Sequence, residues 1–170
     1  LLDKLYFEAY RVGELQKDMS LAEPVMRGAN IVSLDVKSIK ASELGYSQQI
    51  SPNGFTGTDI CSLSRYAGIS NRVNLFGLFD FQDNIHEDLV SSNQISQVLW
   101  YFFEGVSCRV SDDQFNNEDD FQKFTLLIDE FNVVFYKSLK TGRWWMESSD
   151  LDKLNNNLKQ YSLIPCTFED

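Results

Sequence analysis

The sequence predicts an α/β chain, with a parallel sheet and a small antiparallel β meander appended after it. Two short apolar runs, residues 31–36 (IVSLDV) and 73–81 (VNLFGLFDF), flank a segment with helical spacing at residues 56–66. Strand, helix and strand in that order give parallel strands joined by a right-handed crossover. Beyond the acidic stretch 111–120 (SDDQFNNEDD) the apolar period shortens from that of helices to that of strands. The implied organisation is an α/β domain over residues 1–115 and a meander with a tail over 116–170.

Each element has its own signal. Residues 1–16 carry apolar side chains at Leu2, Leu5, Tyr6, Ala9 and Val12, close to the i, i+3, i+4, i+7 spacing of an amphipathic helix. A helix or a turn over residues 11–15 would both fit. A short helix follows over residues 20–27, with Ser20 as cap, Glu23 at the capping-box position and Gly28 as terminator. Residues 31–36 read as a strand buried on both faces, as in a parallel sheet. Asp35 stands at its carboxyl end, where open α/β sheets bind ligands. A loop of about twenty residues holding Pro52, Gly54 and Gly57 comes next, a length that is usually functional or disordered. In the helix that follows, Thr56 or Thr58 caps, Asp59 favours the first turn, and Ile60, Leu63, Ser64 and Ala67 face inward, with Gly68 as C′ residue.

Gly77, in the middle of the second strand, suggests close packing by a neighbouring helix, and Asp80 stands near that strand's carboxyl end. Residues 91–108 (SSNQISQVLWYFFEGVSC) form the most apolar helix, with Ser92 as cap and the run Trp100-Tyr101-Phe102-Phe103 read mainly as core; an exposed share of it would suit an oligomer contact. Residues 111–120 read as a solvated linker. In the last third, residues 124–128 and 133–136 make a hairpin, Thr141-Gly142 a second turn and residues 143–147 (RWWME) an edge strand. Its two tryptophans bury large area while Lys137 and Arg143 dress the rim.

Composition narrows the classes of function. The 170 residues are 43% hydrophobic, enough for a packed core rather than a disordered chain. A formal net charge of -10 argues against nucleic acid or an anionic membrane as partner, because phosphate recognition needs clustered Lys and Arg. No apolar run approaches the roughly 18 residues needed to cross a bilayer. Cys61, Cys108 and Cys166 are widely spaced with no CxxC, which suits free thiols in a reducing cytoplasm. His86 lies in a polar stretch that reads as a solvated loop and makes no zinc-ligand spacing with those cysteines. The opening, Leu1-Leu2-Asp3-Lys4, has neither an initiator methionine nor the character of a signal peptide and reads as mid-fold sequence.

Residues 33–36 (SLDV) with the loop after them, and 52–56 (PNGFT), resemble the second metal motif of the ureohydrolases, the arginase, agmatinase and formimidoylglutamase family, which reads S-F/I-D-x-D-x-x-D-P followed by P-G-G-(L/F)-T. The tail, RWWME at 143–147 and LIPCTFED at 163–170, resembles the arginase-like proteins of the Bacteroidetes group, so the likeness runs over nearly the whole chain in order and spacing. The fold it implies is the C-terminal part of a parallel-sheet, three-layer arginase-like fold with the meander appended. The activity it implies is hydrolysis of a guanidino or formimino C–N bond at a manganese pair, in proteins that commonly form homo-oligomers.

The departures weigh as much as the match. Asp35 keeps the first carboxylate of the motif, as a vestigial metal ligand. Lys37 stands where the second aspartate would be and Lys40 where the third would be. An ammonium cannot ligate a hard divalent cation and repels it. Asp80 takes the place of the family's substrate-holding glutamate and is the catalytic candidate. The family's two histidine-bearing motifs, G-G-x-H and D-A-H-x-D, lie upstream of the Asp35 motif and are not in this sequence. No cofactor is therefore expected in this chain, and catalysis by these residues alone is not expected. Three readings follow: part of a guanidino or formimino hydrolase completed by other residues, a metal-free relative used for binding or assembly, or a scaffold or interaction module working through the Trp144-Trp145 meander. A Lys37–Asp35 pairing is the expected local consequence.

Overall fold

The computed structural model describes residues 9–45, 52–80, 88–112, 118–128, 131–147 and 163–168. The chain divides into two compact units, Leu1–Cys108 and Arg109–Asp170.

In the first unit, β1 (Ile31–Asp35) and β2 (Leu75–Phe79) pair in parallel, in register from Ile31 opposite Leu75 to Asp35 opposite Phe79. Between them runs α3 (Gly57–Ile69), after α1 (Val12–Leu15) and α2 (Ala22–Gly28); α4 (Leu89–Ser107) closes the unit. The strand–helix–strand order read from sequence is present. The burial of β1 is not as expected: Val32 and Leu34 are buried, but Ile31, Ser33 and Asp35 are exposed, so only one face of the sheet is covered. Leu34 joins Val36, Ile39, Ile60, Leu63 and Val98 in the core, and Val32 packs with Ala67 and Val73.

Helix ends differ from the sequence reading where two candidate caps competed. Asp18, not Ser20, caps the turn before α2, its carboxylate accepting from the Ser20 N–H at 2.9 Å. Asp88, not Ser92, caps α4, accepting from the Val90 and Ser91 N–H groups. An aspartate brings a full negative charge to the helix N-terminus and a serine does not. Thr56 caps α3 as expected, in a reciprocal pair with Asp59. Of the first expected helix, Val12–Leu15 is helical among the described residues 9–16; residues 1–8 lie outside the described residues, as does His86.

Gly68 does not end α3; it lies in the last turn, where α3 meets α4. A Cβ on Gly68 would stand 2.2 Å from the Phe102 carbonyl oxygen, and one on Gly105 2.6 Å from that of Arg65. Two glycines let the helix backbones touch. Arg65 locks the crossing with an ion pair to Glu104 at 2.6 Å, and Phe102 stacks on Phe76 of β2 at 4.4 Å. The rest of the aromatic run is not core. Trp100 and Phe103 are 72% and 65% exposed, because, as i and i+3, they share one helix face and Phe102 takes the face turned toward β2. Gly77 makes room not for a helix but for the ring of Phe79, which comes within 2.6 Å of where its Cβ would be.

The second unit is a four-stranded antiparallel sheet, β3 (Phe121–Ile128), β4 (Phe131–Ser138), β5 (Trp144–Glu147) and β6 (Leu163–Cys166), in that order. The meander is as expected, with Gly142 at φ 74 in the β4–β5 turn. Residues 163–166 add an unforeseen fourth strand, which makes the tryptophan strand interior rather than an edge. Trp145 is accordingly buried, edge-on to Phe121 at 5.9 Å, while Trp144 lies on the opposite face between Phe124 and Phe168, with the Lys137 ammonium 5.4 Å from its ring centre. Asp112, read as part of a solvated linker, is buried. It accepts from the Thr141 hydroxyl and pairs with Arg143 at 3.3 Å.

Candidate site at the strand ends

The parallel register fixes the geometry. Asp35 ends β1 beside Phe79, the last residue of β2, so Asp35 and Asp80 lie at the same carboxyl edge of the sheet. After Asp35 the chain tightens into a 3-10 turn, Val36–Ser38. The Asp35 carboxylate starts it, accepting from the Lys37 N–H at 2.8 Å. Asp80 has φ 66, a left-handed conformation that aspartate tolerates better than most side chains and that turns the chain sharply off β2. Lys37 joins the two: its backbone engages Asp35, and its ammonium lies 2.6 Å from the Asp80 Oδ2. The expected Lys37–Asp35 pairing is thus made through the backbone, and the ion pair is with Asp80.

Lys40 belongs to a neighbouring cluster. Its N–H donates to the Phe55 carbonyl at 2.9 Å, beside the parallel bridge between Ile39 and Phe55 that ties the two ends of the long loop together. Its charge acts on Asp59. Burial pushes the Asp59 carboxyl up, but the Thr56 N–H, the Gln16 amide, the Thr56 hydroxyl and the Lys40 ammonium together outweigh it and hold the carboxyl below its usual range. Glu43 also serves the α3 N-terminus, accepting from the Gly57 N–H at 3.2 Å. This helix end, an anion site in principle, is filled by the chain's own carboxylates. Neither Gln16 nor Glu43 was identifiable from sequence: Gln16 meets Asp59 across 43 residues at 3.1 Å, a pairing that no local spacing encodes.

A manganese pair does not fit the described residues at this edge. Asp35 and Asp80 supply two carboxylates, and the group between them is an ammonium, which has three donors and no lone pair. Among the described residues no cluster of three or more His, Cys, Asp or Glu side chains could hold a metal ion. The same residues can hold a ligand only through an alternation of charges, carboxylate, ammonium, carboxylate, on an open rim.

No family model matches the sequence, and no curated protein matches it. Solved structures do. A formiminoglutamase of Trypanosoma cruzi, determined with Mn2+, superposes with a TM-score of 0.51 at 20% identity over 58% of this chain and 36% of its own. The fold is arginase-like. An arginase superfamily protein from the same organism gives the same TM-score at 19% identity, over 58% of this chain and 35% of that one. The chain therefore spans about a third of the length of the arginase-like structures it matches. Among the described residues no helix is long and apolar enough to cross a membrane.

Proposed function

We propose that these residues are the strand-end part of an arginase-like protein whose activity as a whole is hydrolysis of a guanidino or formimino C–N bond, and that this segment does not carry its metal centre. The Lys37–Asp80 pair is the observation that supports this reading. At the carboxyl edge, where such a fold binds its ligand, the ion-paired cation is an ammonium supplied by the chain. Asp80 is the group best placed to hold a cationic guanidino or formimino compound, provided Lys37 releases it. The metal-free alternative, a relative used for binding or assembly, draws on the exposed Trp100 and Phe103, which suit self-association. The three free cysteines Cys61, Cys108 and Cys166 favour a reducing, cytoplasmic setting.

Manganese content decides between the two. The full-length gene product is loaded with Mn2+, desalted and assayed by elemental analysis, alongside the 170 residues alone. The reading expects no stoichiometric metal on the 170 residues and about two ions per chain, as in two-metal hydrolases, on the full-length product. A full-length product that also retains none points to the metal-free relative. Two ions on the 170 residues alone would overturn both.

A further inference from the structure

Two stretches of chain leave the carboxyl edge of the β1–β2 sheet, one after Asp35 and one after Asp80. The first runs through the turns Val36–Ser38 and Ala41–Glu43 to Gly45. The second re-enters the described residues at Asp88, the cap of α4. The two meet at one hydroxyl. The Gly45 N–H donates to the Ser91 Oγ at 3.1 Å, and that hydroxyl donates to the Asp88 Oδ2. Asp88 keeps its Oδ1 on the Val90 and Ser91 N–H groups, at 3.0 and 3.3 Å.

Capping α4 does not need the Ser91 hydroxyl, because Asp88 satisfies the first-turn amides whether position 91 is serine or alanine. Ser91 is nonetheless fully buried, and its hydroxyl is engaged in both directions, as donor and as acceptor. Gly45 is fitted to the same spot. A Cβ there would overlap the Asp88 carboxylate, so any larger residue must push that carboxylate off the helix end. The residues just before Gly45 are held as well: Leu44 is in the core, and Glu43 accepts from the Gly57 N–H at the start of α3. Residues 43–45 therefore touch the N-terminal ends of both α3 and α4.

We propose that Gly45, Ser91 and Asp88 form a strap that joins the chain after β1 to the first turn of α4, so that the two open and close as one unit. Whatever orders or displaces the stretch after Asp35 is then felt at the helix reached from Asp80, and the converse, because coupling between two sites is reciprocal. The strap consists of this chain's own side chains and main chain. It goes beyond the hydrolase reading and stands whether or not the strand ends bind metal.

The test is amide hydrogen exchange at single-residue resolution on the full-length gene product, with Ser91→Ala and, separately, Gly45→Ala. Each variant is read on the element that was not changed. Ser91→Ala should speed exchange at Glu43 and Leu44, whose own acceptors are the Lys40 and Ala41 carbonyls, by up to about tenfold, the effect of losing one hydrogen bond on a local opening. Gly45→Ala should speed exchange by a similar factor at Ser91 and at Ser92, whose N–H donates to the Asp88 main-chain carbonyl, although no atom of α4 has been altered. The amides of Ile60 and Leu63 in α3 should keep their rates in both variants. Acceleration confined to the element carrying the substitution would overturn the strap and leave Asp88 as an ordinary cap. Equal acceleration at Ile60 and Leu63, or failure of either variant to fold, would show that the contact holds up the whole unit and would overturn it as a local device.

Discussion

Replacing Gly105 by alanine tests the account of how the first unit is held together. The new Cβ would stand 2.6 Å from the Arg65 carbonyl oxygen and 2.9 Å from the Gly68 Cα. Ordinary contact begins near 3.4 Å, so the two contacts fall short by about 0.8 and 0.5 Å. Both opposing atoms are main chain and cannot rotate away. The helices must part by most of an ångström, which forfeits between a quarter and a half of the dispersion energy of the contacts that are stretched. Overpacking of this kind costs about 1–3 kcal/mol, and a rigid backbone obstacle belongs at the upper end. Alanine returns about 1 kcal/mol of helix propensity. The net expectation is a loss of about 2 kcal/mol. With a urea slope near 2 kcal/mol per molar, that lowers the denaturation midpoint by roughly 1 M. Gly13→Ala is the control: nothing lies within 4 Å of its Cβ, so propensity acts unopposed and stability should hold or rise. An unchanged or raised midpoint for Gly105→Ala would refute close backbone packing of α3 on α4.

Three further outcomes are expected. Lys37→Met should change stability by less than about 1 kcal/mol, because exposed ion pairs contribute little, whereas Lys37→Asp should lower the melting temperature at low salt and recover it on adding Mn2+; a melting temperature indifferent to both would count against the strand-end electrostatics. Asp18, Asp59, Asp88 and Glu104 all have carboxyls held below the usual range, Asp18 and Asp88 chiefly by serine hydrogen bonds and Glu104 by Arg65. Their folded-state values lie below their unfolded ones, so their contribution is complete above the unfolded values near pH 4 and is lost as pH falls through the folded ones; Asp59→Asn should flatten that acid limb, and an unaltered limb would show that Asp59 contributes nothing to it. Asp112→Ala should cost the second unit about 1–3 kcal/mol by removing the buried carboxylate that Thr141 and Arg143 share, read from loss of near-ultraviolet tryptophan dichroism, and an unchanged transition would show that the buried carboxylate contributes nothing.

What was legible in the sequence was local. The period of the apolar residues located both strands of the parallel sheet, the long helices and the start of the meander, because period is a property of neighbouring residues. Thr56 as a cap was legible for the same reason. Long-range pairings were not. Asp112 looked like linker because Arg143 and Thr141, which bury it, are some thirty residues away. Residues 163–166 carry a proline and too little alternation to announce a strand, and only docking on Trp144–Glu147 makes them one. The aromatic run of α4 misled in the other direction: four large side chains in a row imply a core, yet helical geometry turns only part of such a run toward any one neighbour. At the candidate site Asp35 and Asp80 stood out by their places at strand ends, and Lys37 by standing where the ureohydrolase motif that the sequence resembles has an aspartate. It could not say which carboxylate the ammonium would take, since that depends on the left-handed turn at Asp80.

That choice of partner bears on why a lysine stands at position 37. Lys37 and Asp80 are 61% and 50% exposed, and a pair so wet adds little to the stability of the fold. The turn after β1 uses the Lys37 backbone N–H, which any residue but proline would supply. Neither stability nor the turn therefore calls for lysine. Charge does. With Lys37 in place the three groups at the edge sum to one negative charge; an aspartate there would make three, gathered where two strands end side by side. Such a cluster is tolerable when a divalent cation binds it and repulsive when none does. A built-in ammonium quiets the same edge without needing metal. Lys37 thus lets these described groups stand together without a metal, which is why metal content, more than turnover, is the informative first measurement.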